Sequence, residues 1–288
     1  MAHADPVGPV TTVRGARVLL LVAVLPVIVV VIGGLGSTIL QSLGLMPLVG
    51  PVRFSLDAYT ATGPELPVAI GVSVGIAASS TTIAVVMGTA AGLLVVSGGR
   101  IARIIAALGA ATVSIPHLIG AATVGLLLAD SGVLPRLLGI PADGWPPLVG
   151  GPWWIAVIAE YSWKESAFVA LIVTGTLLTR VAQFDEPAAL LGASRLTRIR
   201  LIFLPLATPS LIVAATIIFI YTLGSYEVAW LLGRTYPEPL AVMAIRLFND
   251  VSLSSRAESA AIAATTVALS FAAVGGAFAV LRRSAVWR

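Results

Sequence analysis

The residues of this chain best able to do chemistry are ionisable groups set inside long apolar runs. Glu160-Tyr161-Ser162-Trp163-Lys164-Glu165 puts a carboxylate and an ammonium four residues apart, so Glu160 and Lys164 share one helix face and can pair. His117 follows Ile115-Pro116 in the middle of another apolar run, where the proline is expected to kink the helix and free a carbonyl. Glu227 follows Gly224-Ser225-Tyr226 toward the far end of a third run, and Gly224 and Ser225 favour local unwinding there. A charge in hydrocarbon costs at least about 2.5 kcal/mol, so such groups face a protein interior or a wet cavity. Glu160 and Lys164 therefore either pair between helices or line a path. His117 is either a hydrogen-bonded structural residue or part of that path. Tyr226 and Glu227 either form an anionic mouth suited to a cationic solute, or Glu227 is capped by interfacial arginines such as Arg234.

One further pattern invites a catalytic reading. Gly71-Val72-Ser73-Val74-Gly75 matches the G-x-S-x-G nucleophile elbow, and Ser73 with His117 would suit an intramembrane serine hydrolase. That motif needs a strand-to-helix turn, whereas Ser73 sits inside an apolar helical run. Gly71 with Gly75, like Gly88 with Gly92, has the spacing that lets membrane helices pack closely. Other classes are excluded by what the chain lacks. It has no phosphate-cradling G-x-x-x-x-G-K-[ST] loop, no H-E-x-x-H, and no cysteine for a disulfide, a thiolate metal site or a nucleophile.

These groups must be positioned by membrane helices. The chain is 58% hydrophobic and 10% charged, against roughly 25% charged for soluble domains, and its mean hydropathy is +1.02. Six apolar runs each exceed the roughly 20 residues that cross a bilayer. They cover 18–40, 67–96, 103–128, 152–178, 206–232 and 257–281, in a single transmembrane domain over 1–288. Arg14 and Arg17 ahead of the first run would also suit a signal peptide, but without a clear small-residue cleavage site an uncleaved helix is expected. The proline-rich stretch 130–151 reads as an exposed loop near the interface. The net charge of +4 reflects arginines beside apolar runs and no continuous basic stripe, so nucleic acid is not an expected partner.

The longest charged passage lies between the fourth and fifth runs, at about 180–205. Asp185 reads as an N-cap, with Glu186 and Pro187 in the first turn of a short amphipathic helix. Ala188 and Ala189 continue it, and Gly192 admits a close backbone approach or a turn. Ala193, Ser194, Arg195, Arg198 and Arg200 follow, before Leu204-Pro205 opens the next run. With the N-terminus inside, Arg14, Arg17, Arg100, Arg103, Arg180, Arg195, Arg198, Arg200, Arg282, Arg283 and Arg288 fall on the cytoplasmic side. Arg53, Arg136, Arg234, Arg246 and Arg256 fall outside, so the positive-inside rule puts both termini and this loop in the cytoplasm.

The passage resembles the cytoplasmic loop of permease subunits of binding-protein-dependent ABC importers. Glu186, Ala188, Gly192, Leu204 and Pro205 stand at positions of that family's signature, and Pro187 departs from it. Ser114–Leu118, Trp163-Lys164-Glu165 with Phe168, Gly224–Val228 and Leu231-Leu232-Gly233 are similar to the spermidine/putrescine-type branch. Relatives carrying thiamine, ferric iron, phosphonates or sugars share much of this pattern. The resemblance implies an all-α, type I importer permease fold with six spans in a bacterial plasma membrane, and no catalysis by this chain. It also implies a second permease subunit, identical or homologous, two ATPase subunits that bind ATP and magnesium, and an extracytoplasmic binding protein. No cofactor is expected in the chain itself, and the implied solute is a polyamine or similar small organic cation. The coupling residues it implies are Asp185, Glu186, Ala188, Ala189, Gly192, Ala193, Ser194, Arg195 and Pro205. A secondary transporter, which would follow an ion gradient without an ATPase, is the rival class.

Overall fold

A computed structural model describes residues 13–178 and 181–283, and every regular element among them is helical. In chain order these are α1 (Val13–Ser42), α2 (Asp57–Ala61), α3 (Glu65–Val96), α4 (Gly99–Ser114), α5 (His117–Leu128), α6 (Val133–Leu138), α7 (Ile155–Leu178), α8 (Val181–Leu190), α9 (Arg195–Arg198), α10 (Leu204–Gly224), α11 (Glu227–Leu232), α12 (Leu240–Phe248) and α13 (Ser255–Arg283). Arg180 and Arg288 of the charge pattern, and the side chains of Arg14 and Arg17, lie outside the described residues.

Helices α3 and α7 form the centre. Gly88 and Gly92 of α3 lie directly on α7: a Cβ on Gly88 would strike the Ser166 carbonyl and come within 2.5 Å of Val169, and one on Gly92 would meet Val173 at 2.8 Å. The small-residue spacing thus does its packing at this pair. Gly71 and Gly75 have nothing within 4 Å of a built Cβ, so that pair supports no close packing among the described residues. Around the centre, Ala84, Val169, Val173, Leu177, Ala214 and Ile218 join α3, α7 and α10 in one buried cluster. A second, with Ile76, Val124, Val157, Tyr161, Val228 and Leu232, ties α5 and α11 to it. A third sets α12 and α13 against Ala69 of α3. Helix α1 packs on α13 and leaves most of its apolar surface outward, as expected of a helix facing lipid or another subunit.

Two expected spans are broken. The third is divided at Ile115 and Pro116, both extended, because a proline whose predecessor is driven out of the α region ends a helix more completely than a kink would. The fifth ends at Gly224, and Ser225 is extended before α11 begins, so the unwinding expected there is present. Below it, helix runs continuously from Arg195 through a π turn at Ile199–Phe203 into α10. Pro205 and Pro209 cannot donate to the preceding turn, and the wider π turn sits where that ladder would fail. The stretch 130–151 is not simply an exposed loop. It contains α6, and half-buried Trp145 donates from Nε1 to the Leu128 carbonyl (2.8 Å), closing the end of α5.

Five helical stretches are long and apolar enough to cross a bilayer: Leu20–Ser42, Glu65–Val96, His117–Leu138, Arg195–Gly224 and Ser255–Arg283. Helix α7 has the length, but Glu160, Lys164 and Glu165 lower its apolarity. It reaches the mark only together with Gln183–Leu190, whose axis is bent 70° from it. The bundle has two distinct ends. Ser97, Asp185 and Arg195 line a common cavity at one. At the other, Gly150 N–H donates to Leu232 O (2.9 Å) and Arg246 reaches Glu65 (3.5 Å).

Candidate functional site: a buried charge node and a short helix at the bundle's end

The buried charges of α5 and α7 meet, but not in the expected pairs. The spacing predicts Glu160 with Lys164; instead His117, the first residue of α5, bridges two carboxylates of α7. Its Nδ1 lies 3.2 Å from Glu160 Oε1, and its Nε2 lies 3.4 Å from Glu165 Oε1. Each ring nitrogen thus faces a carboxylate oxygen, and one imidazole can hold both carboxyl groups at once. Glu160 is wholly buried, and Gly120, one turn beyond His117, makes room for it: a Cβ there would stand 2.8 Å from Glu160 Oε1.

Lys164 is drawn elsewhere. Its ammonium donates to the Thr112 carbonyl (2.7 Å) and to the Ile115 carbonyl. Pro116 has no N–H to give the Thr112 carbonyl, which keeps only Ile115 N (3.2 Å), and α4 presents the negative end of its dipole there. A cation 5% exposed satisfies both needs. The carbonyl expected to be freed by Pro116 is thus the partner of the lysine.

Aromatic rings enclose the node. His117 lies 4.9 Å from the Tyr221 ring and 6.0 Å from the Tyr161 ring, and the two tyrosines meet edge to face at 6.4 Å. The hydroxyl of Ser225, at the break before α11, is buried beside them. Glu227 opens α11, half-buried, and among the described residues it has no ion-pair partner, so the capping by Arg234 does not form. Tyr226 stacks on Trp230 at 5.9 Å, above the break. Arg246, in the neighbouring cavity, is bound to Glu238 (2.5 Å), and that hydrogen bond raises it above the usual guanidinium value. Tyr161, Tyr221 and Gly120 were not singled out by sequence as site residues, and Glu165 was read only as part of its cluster. Glu165 stood in the charged cluster, yet at five residues from Glu160 it shares no ideal helix face with it. The tyrosines and glycine carried no signal separable from core packing.

Ser73 has a structural duty. Its Oγ accepts from Leu240 N (2.7 Å), satisfying a backbone donor at the start of α12. With Ser73 in an unbroken helix and His117 engaged by two carboxylates, no strand-to-helix elbow exists here.

At the end of the bundle, α8 begins at Val181, so Asp185 is not its N-cap and Pro187 is not in its first turn. Pro187 sits inside the helix, leaving the Gln183 carbonyl without its helical donor at an exposed position where water can serve. Asp185 instead binds Arg198 (2.6 Å), tying α8 to the helix beyond the turn. That turn is a Schellman closure: Ala193 N donates to Ala188 O and Gly192 N to Ala189 O, both 3.0 Å, with Gly192 at φ +81°. Of the two roles open to Gly192, the turn is realised, since a Cβ there would meet nothing within 4 Å. Ser194 caps the next helix by accepting from Thr197 N (3.2 Å). Glu186, Ala189, Arg195 and Pro205 are exposed. Leu190 and Leu191, at the tip, are 89% and 88% exposed.

No protein-family profile matches the chain, and no curated protein matches it. Among solved structures it is similar to a chain of a bacterial alginate ABC transporter in complex with an alginate pentasaccharide-bound periplasmic protein. The TM-score is 0.70 at 20% identity, covering 91% of this chain and 93% of that one. A second structure, of a bacterial ABC transporter involved in import of the acidic polysaccharide alginate, gives a TM-score of 0.71 at 20% identity, over 94% and 97% of the two chains. The chain therefore shares its fold with a chain of each of those transporters.

Proposed function

We propose that this chain is the membrane-spanning permease subunit of an ATP-driven, binding-protein-dependent importer. The observation that carries the reading is the shared fold with the alginate transporter chains over more than nine-tenths of each chain. In this reading α7 is a sixth span, despite its charges, because they face the node and not lipid. Both termini and the α8–α9 end are cytoplasmic, in agreement with the arginine pattern. The chain performs no catalysis and holds no cofactor; ATP and magnesium belong to two ATPase subunits. A second permease subunit completes the path, and an extracytoplasmic binding protein delivers solute to the end bearing α11 and α12.

Helix α8 is the lever. Its exposed Leu190 and Leu191 suit an apolar groove on an ATPase subunit. The Asp185–Arg198 pair and the Gly192 turn couple its displacement to the rod Arg195–Gly224 on one side and α7 on the other. Nucleotide must bind the two arrangements with different affinity for this to do work. The breaks at Ile115-Pro116 and Ser225 give the helices places to bend. For the solute, the carboxylate of Glu227, which has no ion pair among the described residues and lies near Tyr221 and Tyr226, favours a small organic cation of polyamine type. The alginate transporters carry an acidic polymer, so this fold is compatible with other cargo.

The test is isolation of the tagged chain from its native membrane. The reading expects an ATP-hydrolysing subunit and an extracytoplasmic binding protein to co-purify, with a small cation in the latter. Uptake that follows an ion gradient, with no ATPase attached, would replace it with a secondary transporter.

A further inference from the structure

Beside the lever lies a cavity that the transport reading leaves unused. It has a volume of about 710 Å³ and runs between the last two turns of α3 and the segment beyond the Gly192 turn. Leu93, Leu94 and Phe203 form its wall, and Arg195 and Arg198 its rim with Asp185. Leu94 is 43% exposed, so the wall opens sideways from the bundle. From Ser97 at the end of α3 the lining reaches back to Ala90, a depth of about 10 Å at 1.5 Å per residue. The charge on the rim is not balanced. Asp185 neutralises Arg198 through Nη1, yet Arg198 Nε is buried without an acceptor, and Arg195 has no ion pair among the described residues.

We infer that this cavity is a binding site for an anionic phospholipid, its phosphodiester against Arg195 and Arg198 and an acyl chain along Leu93, Leu94 and Phe203. An apolar wall that opens sideways at the end of an apolar helix, under a cationic rim, matches the two halves of such a lipid. A carboxylate of an ATPase subunit could meet the rim, but a soluble subunit would not enter 10 Å into the span to cover the wall. The bound phosphate would sit between α3 and the lever and brace them. The inference takes from the proposed function only which leaflet supplies the lipid; the binding itself needs no ATPase.

The test uses the purified full-length chain in detergent, titrated with phosphatidylglycerol or phosphatidylcholine of identical acyl chains and read by native mass spectrometry. One uncompensated arginine near the surface predicts about fivefold tighter retention of phosphatidylglycerol. Arg195→Gln should remove that preference, and Leu94→Asp should lower retention of both lipids. Soluble glycerol phosphate should compete poorly. Equal retention of the two lipids, an unchanged preference in Arg195→Gln, or full displacement by glycerol phosphate overturns the site. So does complete displacement of lipid by an added ATPase subunit, which would make the cavity that subunit's seat. Loss of ATPase co-purification with the lipid preference intact would instead count against the transport reading alone.

Discussion

Residue by residue, the centre of this protein is a histidine held between two carboxylates and a pinned lysine. His117→Ala leaves Glu160 buried without its partner, and removal of one member of a buried ionic set costs about 3–5 kcal/mol. The variant should show a clearly lower thermal midpoint in detergent, while Glu160→Gln with His117 retained should lose less. A midpoint unchanged in His117→Ala would mean that the node is hydrated and holds nothing together. Lys164→Met leaves the Thr112 carbonyl only Ile115 N (3.2 Å) and takes the lysine donor from Ile115 O, a loss of about 1–3 kcal/mol for an unsatisfied buried group. Hydrogen exchange should rise at Thr112–Gly120 in that variant before it rises in α3. The sequence made the charged cluster legible and its pairing illegible. An i,i+4 spacing advertises contact along one helix, whereas the partner of Lys164 is a pair of backbone carbonyls, which no residue pattern marks. His117 reaches Glu160 across 43 positions of chain, and that approach depends on Gly120, a glycine no different in sequence from its neighbours.

Among the elements, the α8 turn separates two explanations of one glycine. Gly192 has φ +81° and open space around it. If the left-handed backbone is what matters, Gly192→Asn should couple ATP hydrolysis to uptake nearly as the parent does, because asparagine tolerates that region, while Gly192→Val should hydrolyse ATP and transport little. Equal loss in both variants would point to a partner's close approach. On the α3–α7 contact, Gly88→Leu forces atoms into Val169 and the Ser166 carbonyl, and overpacking of that kind costs about 1–3 kcal/mol or more. Gly71→Leu, in open space, should leave the thermal midpoint of the isolated chain unchanged. The apolar runs themselves could be read nearly to the residue: 67–96 became Glu65–Val96, and 257–281 became Ser255–Arg283. Their interruptions could not, because a proline announces a disturbance without saying whether the helix continues, as through Pro187 in α8, or stops, as at Ile115-Pro116. The start of α8 was misplaced for a related reason. Asp185 has the chemistry of a cap, but Val181 to Phe184 add a turn before it, and its carboxylate is claimed by Arg198.

For the whole molecule, the account depends on which side of the membrane bears α8 and on what touches it there. The chain has no cysteine, so single substitutions give an unambiguous label. The exposed faces of α1, α4 and α13 leave room for the second subunit that the proposed function requires, and Leu190 at the end of α8 is exposed near the cavity that Arg195 lines. Placing a cysteine at Leu190, the most exposed large residue of the lever, tests side and partner at once. In intact cells Leu190→Cys should resist a membrane-impermeant maleimide and react after the membrane is opened. In isolated membranes it should cross-link to an ATP-hydrolysing subunit, with a yield that changes when nucleotide is added. Labelling from outside the cell, or a cysteine that reacts freely and cross-links to no other subunit, would contradict the account.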